Sequence, residues 1–423
     1  MTRPADAAAT PAAPFDAARL ATPVTVALRA YDPGHDLPLL RERFGPQLAE
    51  LGSNENPLGP GPRSRAALRA ALAGVARYPD PRGAGLKQAL AAAFGVAPAG
   101  IALGNGSHEL LMLLAQCFAD AAHAVAFSQH GFAVFPIAAA AAGAPAIAVP
   151  SLPRDDPQAP WGHDLRAMAA AIDSRTRLVF LANPNNPTGT WFADAALAAF
   201  LAAVPRDVLV VVDEAYHEYV DAPGLTTALA LAPRHPNLVV TRTFSKAHGL
   251  AGLRVGYLVA DPGVVAVLER RRESFNVNSL ALAAAAAALE DHPHLARVRR
   301  RNARDRQSLA RHLAARGYAS LPSQENFLLV DTGVDAGPLE RHLLASGVVV
   351  RPMDGYGLPR ALRISVGSAA EHARPLGALD AWAQGAGQCA SARACASTGA
   401  WRRAAHCAAA WTFPATSRFR TAP

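Results

Sequence analysis

A recurring unit constrains this chain more than any other feature: a near-continuous apolar run that stops abruptly at a polar loop. It occurs as IALGNGS (Ile101 to Ser107), RLVFLANPNNPTG (Arg177 to Gly189), DVLVVVDEAYHEY (Asp207 to Tyr219) and NLVVTRTFSK (Asn237 to Lys246), with helical stretches between the runs. Apolar runs without in/out alternation belong to strands covered on both faces, so the pattern predicts an α/β architecture around a mostly parallel sheet. In such sheets ligands bind beyond the carboxyl ends of the strands. Asn186, Asp213, Tyr216, Ser245 and Lys246 are all placed at that edge.

These residue types suit one chemistry. A lysine whose pKa is lowered by its surroundings forms a Schiff base with an aldehyde or ketone. A pyridine aldehyde such as pyridoxal phosphate draws electrons only while its ring nitrogen stays protonated, and a buried carboxylate facing that nitrogen meets the need. Asp213 fits the role, although an acid after a strand also serves as a plain turn or cap residue. Asn186 and Tyr216 stand where the ring oxygen needs partners; their plainer readings are a turn former and a core edge. The phosphate needs several donors. Gly106 and Ser107 open a helix whose N–H groups and dipole favour an anion, while Ser245 and Arg254 add a hydroxyl and a planar cation. Phe132, in SQHGFAVF, is a candidate to cover the ring face.

Composition excludes other classes. The chain has 423 residues, enough for about two domains, and a formal charge of +8. Residues 381–423 hold five arginines and no Asp, Glu or Lys, which leaves 36 basic against 33 acidic residues in the remainder. No nucleic-acid footprint survives. Cys389, Cys395 and Cys407 lie in the same tail, so a disulfide framework is not expected, and no metal ligand set is assigned. The Ala- and Pro-rich N-terminus lacks the apolar core of a signal peptide, and the longest uncharged stretches are Ala-rich and broken by proline. A cytoplasmic protein without a membrane span is expected. The basic run RVRRRNARDRQSLARHLAARG reads as a long solvated helix whose arginines need only water and helical neighbours.

The motifs NPNNPTG, VVVDEAYHEY and TFSKAHGLAGLRVGY, in this order, resemble the aspartate-aminotransferase fold of pyridoxal-phosphate enzymes. Within it SNENPLGP, RYPDPRG, GNGSHEL, FNVN, ENFLLV and GLPRALRISVG resemble the histidinol-phosphate aminotransferase family, over about Tyr31 to Trp382. The resemblance implies a large domain with a mostly parallel seven-stranded sheet and a smaller α+β domain. The chain is accordingly divided into a flexible arm (1–30), a segment packing on the small domain and a dimer partner (31–70), a large cofactor-binding domain (71–285), a small domain (286–384) and a tail without periodicity, expected to be disordered (385–423). It further implies that Lys246 carries pyridoxal 5′-phosphate and moves the proton, that Asp213 holds the pyridinium, and that Asn186 and Tyr216 bind the ring oxygen. Ser107, Ser245 and Arg254 hold the phosphate, with His108 beside them. Tyr78 reaches the cofactor phosphate of the other subunit of a homodimer. Arg363 grips the anionic end of the substrate, with Arg351, Tyr31 and Asn56 in the same pocket. The implied reaction exchanges the amino group between L-histidinol phosphate and 2-oxoglutarate, giving imidazole-acetol phosphate and L-glutamate. Aromatic amino-acid amino transfer and decarboxylation of threonine phosphate are the alternatives on the same scaffold. His108 stands where the family usually has Asp or Asn, and Phe132 where many members have Tyr.

Overall fold

The computed structural model describes residues 16–28 and 34–397. Its strands, in chain order, are β1 (Ala49–Glu50), β2 (Ile101–Gly104), β3 (Ala124–Ser128), β4 (Ala146–Val149), β5 (Thr176–Ala182), β6 (Leu209–Asp213), β7 (Leu238–Thr243), β8 (Gly256–Val259), β9 (Ala319–Ser320), β10 (Phe327–Asp331), β11 (Val348–Val349), β12 (Arg351–Pro352) and β13 (Ala361–Ser365).

A seven-stranded sheet runs in the order β2-β8-β7-β6-β5-β3-β4. Only β8 is antiparallel to its neighbours. The central strands are apolar on both faces because both faces are covered: Phe180, Val211 and Val239 pack with Leu110, Leu114 and Phe135 on one side. Val179, Val210 and Val240 pack with Met168, Leu197 and Phe200 on the other. The stretch VFPIAAAAAGAPAIAV becomes the helix Val134–Ala141 and β4, and no helix among the described residues is long and apolar enough to cross a membrane.

The β2/β8 end of the sheet is covered by the helices Ala84–Phe94 and Ser279–Leu289. Ala281, Ala284, Ala285 and Ala288 of the second helix are buried there with Leu86, Leu90 and Ile101. A domain boundary at 285/286 therefore falls inside one helix, and the whole helix belongs with the large sheet. Alanine is what lets it lie close.

The small domain follows, with the antiparallel sheet β12-β13-β10-β9 packed on the helices His292–Ala314, Gly337–Ala345 and Ala369–Ser397. β1 pairs in parallel with β11, and Ala49 and Leu51 enter the small-domain core. From that anchor, residues 52–58 cross back to the edge of the large sheet.

Two expectations are corrected. The basic helix is not wholly solvated: Arg306 is buried, its guanidinium donating to the Glu325 carbonyl at 3.0 Å and to Asp221 at 3.3 Å. The C-terminal helix continues to Ser397 instead of losing its structure at 385, as an alanine-rich sequence permits without a burial period. Residues 398–423 lie outside the described part.

Candidate active site

The turns after β5, β6 and β7 converge as parallel strands require, and together with residues 52–55 and the start of the helix Ser107–Phe118 they enclose a cavity of about 510 Å³. Ser107, His108, Phe132, Asn186, Asp213, Tyr216, Ser245, Lys246, Arg254, Arg351 and Arg363 all line it. Lys246 and Asp213 thus open into one space.

Asp213 ends β6 and is 3% exposed; its carboxylate accepts the Thr241 hydroxyl at 2.8 Å. Burial, with Glu214 adding a like charge, pushes its pKa up to about 7. Lys246 Nζ donates to the Ser53 carbonyl at 3.2 Å and lies 5.5 Å from the centre of the Tyr216 ring. Burial, assisted by the positive charge of Arg363, brings its pKa down to about 8. The neutral amine is therefore accessible near physiological pH, which is the requirement for attack on a carbonyl.

The Tyr216 hydroxyl accepts a hydrogen bond from Asn54 Nδ2 at 2.9 Å, and burial raises its pKa far above the ordinary phenol value. Asn54 has a φ of 56°, a left-handed conformation that asparagine tolerates, and Asn326 Nδ2 donates to its carbonyl at 3.0 Å. Arg363, on β13 and 7% exposed, donates from Nη1 to Asn186 Oδ1 at 2.6 Å and from Nη2 to the Gly52 carbonyl at 2.7 Å. The two domains thus meet at this guanidinium.

Opposite, Gly106 caps the helix Ser107–Phe118 at a φ of 84°. A Cβ on it would come within 2.7 Å of Arg254 Nη2. Arg254 Nη1 donates to Ser245 Oγ at 3.3 Å, and Thr243 Oγ1 donates to the same oxygen at 2.9 Å. A helix N-terminus, two serine hydroxyls and a guanidinium make an anion cradle.

A phosphorylated pyridine aldehyde fits these residues: the cradle suits its phosphate, and the costly buried carboxylate of Asp213 suits its cationic ring nitrogen. Phe132 lies on the cavity wall, edge-on to Phe135 with ring centres 5.9 Å apart.

Three further residues were named from sequence. Asn56 is outside the cavity lining, and its Nδ2 donates to the Ala247 carbonyl at 2.9 Å, tying the 52–58 segment to the lysine turn. Tyr78 is 83% exposed, stacked on Phe275 with ring centres 4.8 Å apart, and takes no part in the cavity of its own chain. Tyr31 lies outside the described residues. Conversely, Ser53, Asn54, Thr241 and Tyr356 were not singled out from sequence. Ser53 and Asn54 carried a signal, since both lie in the turn-rich string SNENPLGP, and Thr241 lies in the run NLVVTRTFSK that leads to the lysine.

The profile of the aminotransferase class I and II family matches residues 46–379. The chain is 50% identical over 363 residues to histidinol-phosphate aminotransferase 2 of Pseudomonas aeruginosa, covering 85% of this chain and 96% of that one. It is 48% identical over 360 residues to histidinol-phosphate aminotransferase 2 of Ralstonia nicotianae, covering 84% and 94%. Among solved structures, histidinol-phosphate aminotransferase from Sinorhizobium meliloti in complex with pyridoxal-5′-phosphate superposes with a TM-score of 0.75 at 35% identity, covering 85% of this chain and 96% of that one.

Proposed function

The chain belongs to the class I and II aminotransferases, in their histidinol-phosphate aminotransferase family, and from that premise we propose that it transfers the amino group between L-histidinol phosphate and 2-oxoglutarate in histidine biosynthesis, with pyridoxal 5′-phosphate as cofactor. The observation that carries this reading is the shared cavity of Lys246 and Asp213, with an arginine at each end, Arg254 in the anion cradle and Arg363 beside Asn186.

Bound there, pyridoxal phosphate supplies an aldehyde for amine capture and a ring that accepts the electron pair of a broken bond. Ser107, Ser245, Arg254 and the helix N–H groups hold its phosphate, with His108 beside them. Asp213 keeps the ring nitrogen protonated. Asn186 and Tyr216 orient the ring oxygen, and Phe132 covers the ring. Lys246 Nζ would be the amine that holds the aldehyde and, when free, the base placed to carry a proton to and from the substrate carbon. Arg363 binds the anionic end of the substrate, with Arg351 on the same wall. A guanidinium pairs equally well with a phosphate monoester and a carboxylate, so one pocket serves both half-reactions.

The working unit in this reading is a homodimer in the cytoplasm, with Tyr78 contributing to the partner's cofactor phosphate; its exposure and its absence from the lining of its own cavity support that role.

Two experiments test the proposal. Steady-state kinetics with histidinol phosphate, phenylalanine and threonine phosphate should give the highest kcat/KM for histidinol phosphate; amino transfer at least about tenfold faster from phenylalanine, or carbon dioxide release from threonine phosphate, overturns the assignment. Lys246→Ala should lose the visible absorbance of the bound cofactor and slow amino transfer by roughly 10²–10⁴-fold or more. Retention of both removes Lys246 from the scheme.

A further inference from the structure

Asp213 ends an apolar strand, and sheet register decides what stands beside it. Ala182 of β5 and Thr241 of β7 are its direct neighbours, and Leu258 of β8 stands beyond Thr241. Side chains in register across a sheet share a face, so these four form one row. The row two residues earlier on the same face is Phe180, Val211 and Val239, all packed in the apolar core with Leu110 and Leu114. Asp213 therefore rises from an apolar floor, and Thr241 is the polar neighbour that its row supplies.

Threonine needs a reason at that position. Thr241 is 0% exposed and does not line the cavity. Valine has the same shape, and it fills the neighbouring buried positions of β6 and β7. A buried hydroxyl is unfavourable unless a hydrogen bond offsets the loss of water. Thr241 Oγ1 donates to Asp213 Oδ1 at 2.8 Å. The backbone beneath that bond is tied on both sides: the Asp213 carbonyl accepts the Asn183 N–H at 3.1 Å, and the Thr241 carbonyl accepts the Glu214 N–H at 2.8 Å. A β-branched side chain on a central strand has little rotamer freedom, so the donor is in place before a ligand arrives.

Burial drives the Asp213 carboxyl towards its neutral form, with Glu214 adding a like charge; the Thr241 hydroxyl and Lys246 act against it, the hydroxyl more strongly. Tyr216 and Glu325 are further titratable groups close enough to feel its charge. A neutral carboxylic acid gives a cationic ring nitrogen no counter-charge. An ionised one does, and a donor on one of its oxygens favours the ionised form.

We propose that Thr241 is a positioning residue for the ring nitrogen of the cofactor, acting through Asp213: its hydroxyl, reaching across from the next strand, holds one carboxylate oxygen in place and keeps the group an anion that a pyridinium can pair with. Thr241 touches neither cofactor nor substrate in this role.

This inference rests on the reading that Asp213 meets the ring nitrogen, and the test separates the two. Cofactor-free full-length protein is titrated, by visible absorbance, with pyridoxal phosphate and with its analogue carrying C–H in place of the ring nitrogen. Wild type should bind pyridoxal phosphate at least about tenfold more tightly than the analogue, the worth of a hydrogen bond to a charged group. Thr241→Val should weaken pyridoxal phosphate by roughly tenfold and leave the analogue no weaker, so that the preference shrinks. Thr241→Ser, which restores the hydroxyl, should keep the wild-type preference. A wild-type protein that binds both ligands alike removes the premise. With the wild-type preference present, an undiminished preference in Thr241→Val, an equal loss of both ligands in that variant, or a Thr241→Ser protein that behaves like Thr241→Val overturns the role of Thr241 alone. Thr241→Ala, read in the same way, replaces the valine variant if that one does not fold.

Discussion

Before cofactor arrives, burial shifts the titrations of Lys246 and Asp213 towards their neutral forms, and each shift leaves a signature in stability. The Lys246 amine titrates at about 8 against an ordinary value of 10.5, so the unfolded chain binds its proton more tightly and stability of the cofactor-free protein should rise as pH climbs from about 8 towards 10. Asp213 shifts the other way, from 3.8 to about 7, so the folded state holds the extra proton and this contribution falls as pH rises through that window. Asp213→Asn should therefore raise the melting temperature of cofactor-free protein above pH 7, yet weaken pyridoxal phosphate binding by roughly 10–100-fold, the worth of a charge-assisted hydrogen bond. A variant that loses stability at pH 8 counts against a site held at the expense of the fold. Arg363→Ala should raise KM for both histidinol phosphate and 2-oxoglutarate by a similar roughly 10–100-fold. An effect on one substrate alone is incompatible with a shared anion pocket. At this scale the sequence was informative about residue type: Lys246, Asp213, Asn186, Tyr216 and Arg254 could be picked out because each ends an apolar run or follows one closely. The buried carboxylate of Glu325 could not, since the absence of donors around it is a property of the packed interior.

The elements explain how those groups are aimed. β5, β6 and β7 run parallel and in register, Val179 beside Val210 and Val210 beside Leu238, so their carboxyl ends finish side by side. The helix Ser107–Phe118 brings its N-terminus to the same edge because β2 lies two strands from β7 across the antiparallel β8. Gly106 is the hinge of that arrangement: it combines a positive φ with contact against Arg254. Gly106→Ala should strain the turn and displace the guanidinium, so cofactor affinity measured by absorbance titration should fall by roughly tenfold or more, with a smaller loss of thermal stability. Unchanged affinity shows that Arg254 is not held by this turn. The strand–turn–helix order was legible from sequence; the small-residue helix Ser279–Leu289 was not assignable to a domain, because an alanine run carries no direction of burial until a partner surface exists.

For the whole molecule, the two domains close the site jointly. β1 ties the segment 49–51 to the small domain, the following residues supply Ser53 and Asn54 to the cavity, and Arg363 reaches it from β13. If Tyr78 completes the site of a second copy, Lys246→Ala and Tyr78→Ala chains, each impaired alone, should recover activity when co-expressed and isolated as mixed dimers, since one site in each then carries both residues. Absence of recovery in verified mixed dimers assigns Tyr78 to its own subunit or to no site. What the sequence determined by itself is the α/β class, the cofactor chemistry and the residues at strand ends, because apolar period and turn composition act over a few neighbouring positions. Only the tertiary structure decided that Asn54 supports Tyr216 across 162 positions and that Arg363 meets Asn186 across 177. It also decided the direction of the Lys246 and Asp213 pKa shifts, since desolvation, the largest cause of both, depends on everything that surrounds a group in the fold.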